Sequence, residues 1–240
     1  MSQEQFIRTS FLFGNENLTK LQHARVAVFG LGGVGGYVVE GLARSGVGTL
    51  DLIDHDIFVE SNLNRQILAT RDTLGKKKVD VAKERIHAIC PDIIVNTYCC
   101  FYLPEEKDKF DFSNYDYIVD AVDTVTAKLD LIEEAERCHT PIISAMGCGN
   151  RIDPSKLVIT DIYQTIGDPL ARIMRYELRK RGITKLTVVY STEHPITPLY
   201  PAGFEVNPKK PTPGSTAFVP SAAGLLIASR VVQDLIAKKE

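Results

Sequence analysis

No two cysteines of this 240-residue chain stand in a C-x-x-C spacing. The five, Cys90, Cys99, Cys100, Cys138 and Cys148, therefore exclude a four-cysteine zinc site built from such pairs. Their odd number, with no secretory signal, argues against a disulfide framework. None follows Cys148, so the chain beyond that point offers no thiol nucleophile. An excess of either sign of charge is lacking: 28 basic against 30 acidic residues give a formal net charge of −2, which does not advertise nucleic-acid binding across the whole surface. The first ten residues are polar and lack the apolar core of a signal peptide, so a cytoplasmic protein is expected. One long apolar stretch, 217–236, is interrupted by Arg230, Gln233 and Asp234, which predicts a buried helix and no membrane association. His55 sits between Asp54 and Asp56, no other histidine has a base-like or metal-like setting, and none of the five is assigned a catalytic role.

What is present is a regular alternation. Runs rich in Val and Ile at 25–30, 49–54, 93–99, 117–120 and 141–145 have the composition of strands buried on both faces. Helical stretches at 34–45, 74–89 and 124–138 lie between them, and two short helices, 3–13 and 17–23, precede them. This pattern predicts an α/β, Rossmann-like, doubly wound and mostly parallel sheet. After residue 147 come two more strands, 157–163 and 186–190, around a basic helix at 169–181, and a closing helix at 221–238. Six of the twelve prolines fall between Pro195 and Pro213, so a mobile loop is expected at about 195–214. The chain reads as one domain, 1–240, with a nucleotide-binding half (1–150) and a substrate half (151–240).

Three motifs occur in order. The turn Gly30-Leu31-Gly32-Gly33-Val34-Gly35-Gly36 joins the first strand to its helix, a place where glycine lets the chain turn tightly and lets phosphate approach the helix N-terminus. Asp54 ends the next strand, where a carboxylate can accept hydrogen bonds from ribose. To this point NAD would serve as well. The segment Ser61-Asn62-Leu63-Asn64-Arg65-Gln66 and the run Lys76-Lys77-Lys78 break the tie. A dinucleotide has only a pyrophosphate, already served by the glycine turn; Arg65 and Lys78 make sense where a third phosphate is held and pyrophosphate must leave. Lys76 and Lys77 read as a solvated helix start. At the carboxyl end of the fourth strand, Asp120 steadies the turn and Asp123 is the candidate Mg²⁺ ligand.

These elements together resemble the ubiquitin-activating-enzyme-like (ThiF/MoeB/HesA) superfamily over roughly residues 6–149. The resemblance implies ATP and Mg²⁺ as cofactors. It implies a nucleotide site made of Gly30, Gly32, Gly33, Gly35, Asp54, Asp56, Asn62, Arg65, Gln66, Lys78 and Asp123, with Asp54 on ribose, Arg65 and Lys78 on phosphates, and Asp123 on the metal. It also implies a homodimer in which Arg8 of the first helix reaches the partner subunit's phosphates, so that Arg65, Lys78, Asp123 and Arg8 form the catalytic set. Members that activate sulfur carriers usually have two C-x-x-C pairs, and ubiquitin-type members a cysteine beyond the sheet; neither is present here. What remains is adenylation with an oxygen or nitrogen nucleophile.

The second half narrows the family. Gly149-Asn150-Arg151-Ile152-Asp153-Pro154, Thr160-Asp161-Ile162-Tyr163, Thr165-Ile166-Gly167-Asp168-Pro169-Leu170 and Tyr190-Ser191-Thr192-Glu193 are similar to the tRNA threonylcarbamoyladenosine dehydratases. This resemblance implies ATP-dependent cyclisation of N6-threonylcarbamoyladenosine in tRNA; the alternative is adenylation of a ubiquitin-like sulfur-carrier protein's C-terminus. It associates Na⁺ or K⁺ with the family and brings a cysteine-desulfurase or sulfur-acceptor system into view as a partner. Arg172, Arg175, Arg179, Lys180, Arg181 and Lys185, against the single acid Glu177, are the expected tRNA-binding residues, joined by Lys209 and Lys210 in the proline-rich loop.

Overall fold

A computed structural model describes residues 1, 4–205, 207 and 212–237 of the chain. Among the described residues seven strands form one sheet, in the order β3-β2-β1-β4-β5-β7-β6. They are β1 (Arg25–Phe29), β2 (Thr49–Ile53), β3 (Ile94–Tyr98), β4 (Tyr117–Asp120), β5 (Ile142–Ala145), β6 (Leu157–Asp161) and β7 (Thr187–Ser191). Every pairing is parallel except that of β6 with β7. The strand order reverses between β1 and β4, and in such sheets the crevice at the carboxyl ends of the strands on either side of that point receives ligands.

Side-chain alternation along β1 divides the core in two. Val26 and Val28 face one layer, packed with Leu50 and Leu52 of β2, α2 (Asn15–His23), α3 (Gly35–Ser45), α4 (Lys78–Ile89) and α7 (Val219–Ala237). Ala27 and Phe29 face the other, where Phe29 meets the rings of Tyr102, Phe110 and Phe112 beside α5 (Val125–Arg137). A third cluster joins α5 to α6 (Pro169–Lys180) through Leu129, Ile132, Met174 and Leu178. The apolar stretch at the C-terminal end is the buried helix expected of it. α7 is long and apolar enough to cross a membrane by length and composition, yet Ile227, Val231, Val232 and Leu235 are sunk in the core. Each such side chain contributes about 1.5–3 kcal/mol on burial. The Tyr117 hydroxyl donates to Asp234 at 2.8 Å and so fixes the far turn of α7 to β4.

Element boundaries differ from the sequence expectation in ways the local chemistry explains. The helix expected from residue 74 begins at Lys78: Gly75 takes a left-handed φ of 78°, Lys77 bridges to Ile57, and the Lys78 N–H donates to the Asp56 carbonyl. The strand expected to reach residue 163 ends at Asp161, whose carboxylate accepts the Tyr163 N–H and opens a 3₁₀ turn. α1 (Ile7–Phe13) begins at Ile7 rather than at residue 3 and buries none of its residues. Of the loop expected to be mobile, Val206 and residues 208–211 lie outside the described residues, and Lys209 and Lys210 with them.

Candidate functional site

The glycine turn is held against the sheet by close approaches. Gly30 has φ 90°, and a Cβ there would lie 2.6 Å from the Ala121 carbonyl oxygen. A Cβ on Gly35 would lie 1.8 Å from the Gly30 carbonyl oxygen, so the N-terminus of α3 can sit directly behind the turn only as glycine. Gly32, by contrast, faces open space, with Gln66 Nε2 3.8 Å from where a Cβ would be.

Around this turn the carboxyl ends of the strands form a cleft of about 420 Å³. It is lined by Gly30, Gly32, Gly33, Asp54, Asp56, Asn62, Arg65, Gln66, Lys78 and Asp123. Nearly the whole nucleotide set expected from the sequence is thus brought together. Gly35 lies behind the wall. Arg8 is exposed on α1 and is not among the residues lining the cleft; nor are Lys76 and Lys77.

Each polar group in the cleft has a definite setting. Asp54 is 9% exposed; its Oδ2 accepts the Leu31 N–H at 2.6 Å and its Oδ1 the Asp56 N–H at 2.8 Å. This carboxylate ties the glycine turn to the β2 loop, and each of its oxygens keeps a second lone pair for a sugar hydroxyl. The Lys78 ammonium is buried and lies 2.8 Å from Asp56. Arg65 is folded back, one Nη donating to the Ser61 carbonyl and to Asn64 Oδ1, both at 2.9 Å. Asn62 accepts the Val59 N–H and steadies the turn that carries Arg65. Gln66 is 7% exposed, and its Oε1 is buried with no hydrogen-bond partner among the described residues. Gln66 also lines the cleft, so its side-chain amide lies beside any ligand held there.

The opposite wall comes from the β4 and β5 loops. Asp120 is fully buried, accepts the Val122 N–H at 3.2 Å and pairs with Lys128 at 3.0 Å. Asp123 is exposed at the end of that loop, next to Thr124, whose hydroxyl donates to it at 3.3 Å. Cys148 also lines the cleft; burial pushes its thiol up to about 11, against the opposing pull of Arg151. It therefore stays protonated near neutral pH and is a poor nucleophile. Burial likewise raises the Cys100 thiol. His55 packs edge-on against Phe101, with ring centroids 4.5 Å apart. Asp54, His55 and Asp56 have the spacing of a metal cluster, but Asp54 is engaged by backbone amides and Asp56 by Lys78.

Residues the sequence reading quoted as marks of the family, without giving them a site role, join the site from the second half. Arg151 is 3% exposed; it donates to the carbonyls of Gly147, Gly149 and Glu193 and to Asp168 at 2.7 Å. Asp168 in turn caps α6 through the Ala171 N–H. Asn150, with φ 59°, accepts the Gly214 N–H and brings Pro213 and Ser215 to the cleft. The basic helix is less free than its sequence suggests. Arg175 donates to Thr165, Arg179 lies over the Tyr163 ring, Lys180 pairs with Glu177, and Arg181 pairs with Glu177 and Glu133. Arg172 and Lys185 are exposed and form no ion pair among the described residues.

Comparison with known proteins places the chain. The ThiF family model matches residues 5–238. The tRNA threonylcarbamoyladenosine dehydratase of Bacillus subtilis (strain 168) is 41% identical, over 97% of this chain and 94% of that protein. The protein of the same name from Haemophilus influenzae is 34% identical over 99% and 95%. Among solved structures, E. coli tRNA N6-threonylcarbamoyladenosine dehydratase, TcdA, in complex with ATP, superposes with a TM-score of 0.88 at 33% identity, covering 98% of this chain and 95% of that one. Its complex with AMP gives a TM-score of 0.89.

Proposed function

The chain belongs to the ThiF family, and from that premise we propose that it is an ATP-dependent enzyme that dehydrates N6-threonylcarbamoyladenosine in tRNA, closing a ring by way of an acyl-adenylate. One observation carries the choice within the family. The cleft that gathers the glycine turn, Arg65 and Lys78 holds only thiols that stay protonated, Cys148 above all. An adenylate formed there is discharged by a group within the substrate rather than by an enzyme thiolate. The alternative, adenylation of a sulfur carrier's C-terminus with sulfur supplied by another protein, is opposed by the lack of C-x-x-C pairs and of any cysteine beyond Cys148.

The chemistry follows from the groups in place. The substrate carboxylate is ionised at pH 7 and needs no general base. Its oxygen attacks the α-phosphorus of ATP, forming the acyl–phosphate bond as pyrophosphate leaves. Arg65, swinging from its perch on Ser61 and Asn64, and Lys78, exchanging Asp56 for phosphate, neutralise charge on the transferring group and on the departing pyrophosphate. The carbamoyl group, held within the same molecule, then attacks the activated carbonyl; AMP departs with the former carboxylate oxygen and a proton is released. The sum is ATP converted to AMP and pyrophosphate while the nucleoside loses the elements of water.

Asp123 supplies a hard carboxylate oxygen on the cleft wall, a donor type that suits Mg²⁺, which takes one or two carboxylates and completes its shell with phosphate oxygens and waters. When bound there, the ion would add to the neutralisation of phosphate charge.

Two further parts of the proposal concern surfaces. α1 presents Ile7, Phe11 and Leu12, at 48%, 76% and 82% exposure, around Arg8. A second copy of the chain covering this face would carry Arg8 to the neighbouring cleft, so the working unit is a homodimer. Arg172 and Lys185, with α6 behind them, form the tRNA contact.

The test is nucleoside mass spectrometry of tRNA bearing threonylcarbamoyladenosine after mild workup. The expected result is a loss of about 18 mass units that requires ATP, the mass of the water removed. No loss, with ATP–pyrophosphate exchange appearing only when a carrier protein is added, would replace dehydration with carrier adenylation.

A further inference from the structure

Lys128 is 0% exposed, in the first turn of α5, and no step above uses it. Its Nζ donates to Asp120 Oδ2 at 3.0 Å, to Ser144 Oγ at 3.3 Å and to the Ala145 carbonyl at 2.7 Å. An ammonium has three N–H donors, so all are spent. The Ser144 hydroxyl also donates to the Asp120 carboxylate, which closes the network. The other Asp120 oxygen accepts the Val122 N–H.

The partners lie at the carboxyl ends of two adjacent strands. Asp120 ends β4 and begins the loop of Ala121, Val122 and Asp123; Ser144 and Ala145 end β5, three residues before Cys148. Both loops line the cleft. The β4 loop is also the one against which the glycine turn rests, since a Cβ on Gly30 would be 2.6 Å from the Ala121 carbonyl oxygen. Moving that carbonyl toward the turn meets backbone. A single buried cation thus sets the height of the wall that ends in Asp123.

We propose that Lys128 is a positioning residue for the dehydration: it acts through Asp120 to place the Ala121–Asp123 wall, and through Ser144 and Ala145 to place the Cys148 wall, against the phosphates held by the glycine turn. This rests on the proposed role of the cleft. The groups proposed to hold ATP from the other side, Arg65, Lys78 and Asp54, share no hydrogen bond with the Lys128 network among the described residues. Loss of Lys128 should therefore spare ATP affinity and lower turnover, because a shift on the order of 1 Å at reacting groups costs roughly 100-fold in rate.

The test uses the full-length protein with its tRNA substrate. Lys128→Met alone strands the Asp120 carboxylate, so the main variant is Lys128→Met with Asp120→Asn, which keeps the site neutral. With rates normalised to ATP-binding sites, the expected result is a kcat lower by about tenfold or more, with the Kd for ATP and the KM for tRNA each within about threefold. A residue with a purely structural part would leave kcat per ATP-binding site near the wild-type value. That outcome, or an ATP affinity falling as far as kcat, overturns the proposal. If the double variant does not fold, Ser144→Ala carries the same test, since it removes one partner of the ammonium and keeps the charge pair; a wild-type kcat there counts against the proposal. Asp123→Asn separates the two readings. If it turns over normally, the role of the cleft wall itself is wrong; if it is inactive while the Lys128 variants are normal, only the role of Lys128 fails.

Discussion

The Lys78 ammonium and the Asp56 carboxylate stand 2.8 Å apart, the lysine buried and the aspartate half-exposed at the cleft. The carboxylate stabilises the buried cation, and in the proposed mechanism a phosphate takes its place. Arg65, in contrast, is held only by a carbonyl and an amide. The two cations should separate in mutagenesis. Arg65→Ala should weaken ATP binding by about tenfold or more and leave the thermal midpoint unchanged. Lys78→Ala should weaken binding and lower the midpoint as well, because Asp56 loses its partner. Calorimetric titration with ATP beside thermal unfolding reads both; equal midpoints would remove the distinction.

The unpartnered Gln66 Oε1 makes a second prediction. A buried acceptor with no donor among the described residues adds little to the fold, so its replacement should cost the fold little. Gln66→Leu should leave stability unchanged or raised while ATP affinity falls. A variant that loses stability and binds ATP normally would show that Gln66 serves the fold.

Cys148→Ser should retain turnover within about threefold, since a thiol held near 11 is not needed as a nucleophile. Inactivity of this variant, together with a trapped enzyme-linked intermediate, would restore a thioester step.

Arg172→Glu on α6 and Lys185→Glu in the segment between α6 and β7 should weaken tRNA binding and flatten its dependence on salt, each by roughly one phosphate contact. Substitution of Lys180 should do less, because that side chain already pairs with Glu177 and lies over the Tyr176 ring. ATP affinity should not move in any of these. Filter binding across a salt series decides the matter.

Glu40, on α3, joins its own helix to α4 through Arg44 and Arg85. Burial alone would raise its pKa, but the two guanidiniums prevail and hold the carboxyl below its ordinary value of 4.5. A depressed carboxyl contributes stability that is present above its unfolded pKa and is lost as pH falls through the folded one. Glu40→Gln should therefore lower the urea midpoint by a constant amount above about pH 5, and the gap from wild type should close at lower pH. A gap that widens on acidification would reverse the sign.

The parallel nucleotide half was legible because its signals are local. Strands buried on both faces read as Val- and Ile-rich runs, and Gly30, Asp54, Arg65 and Asp123 announce themselves by position relative to strand ends. The order β5-β7-β6 was not legible, since side-chain period says which face a strand buries and nothing about its neighbour. Arg151, Asp168, Glu193 and Asn150 meet only after the chain has crossed the sheet, so no spacing links them. In the basic helix, Arg175 and Arg179 meet Thr165 and Tyr163, groups the sequence does not place beside them, whereas Lys180 and Arg181 pair with Glu177 at helical spacings the sequence already offers. Lys128 did leave a trace. It falls on the helical face of Leu131, Ile132 and Ala135, where a lysine is out of place unless a buried acid awaits it.

The manner in which β7 and β6 join the sheet has a bearing on how such proteins diversify. β7 is laid against the outer side of β5 and β6 against β7, leaving the ladder from β3 to β5 and the turn above β1 untouched. Growth at one margin lets the surface that selects a substrate be exchanged, lengthened or reshaped while the grip on the triphosphate is inherited whole. New specificities in this architecture should therefore arise by grafting beyond β5 rather than by remodelling the nucleotide cleft.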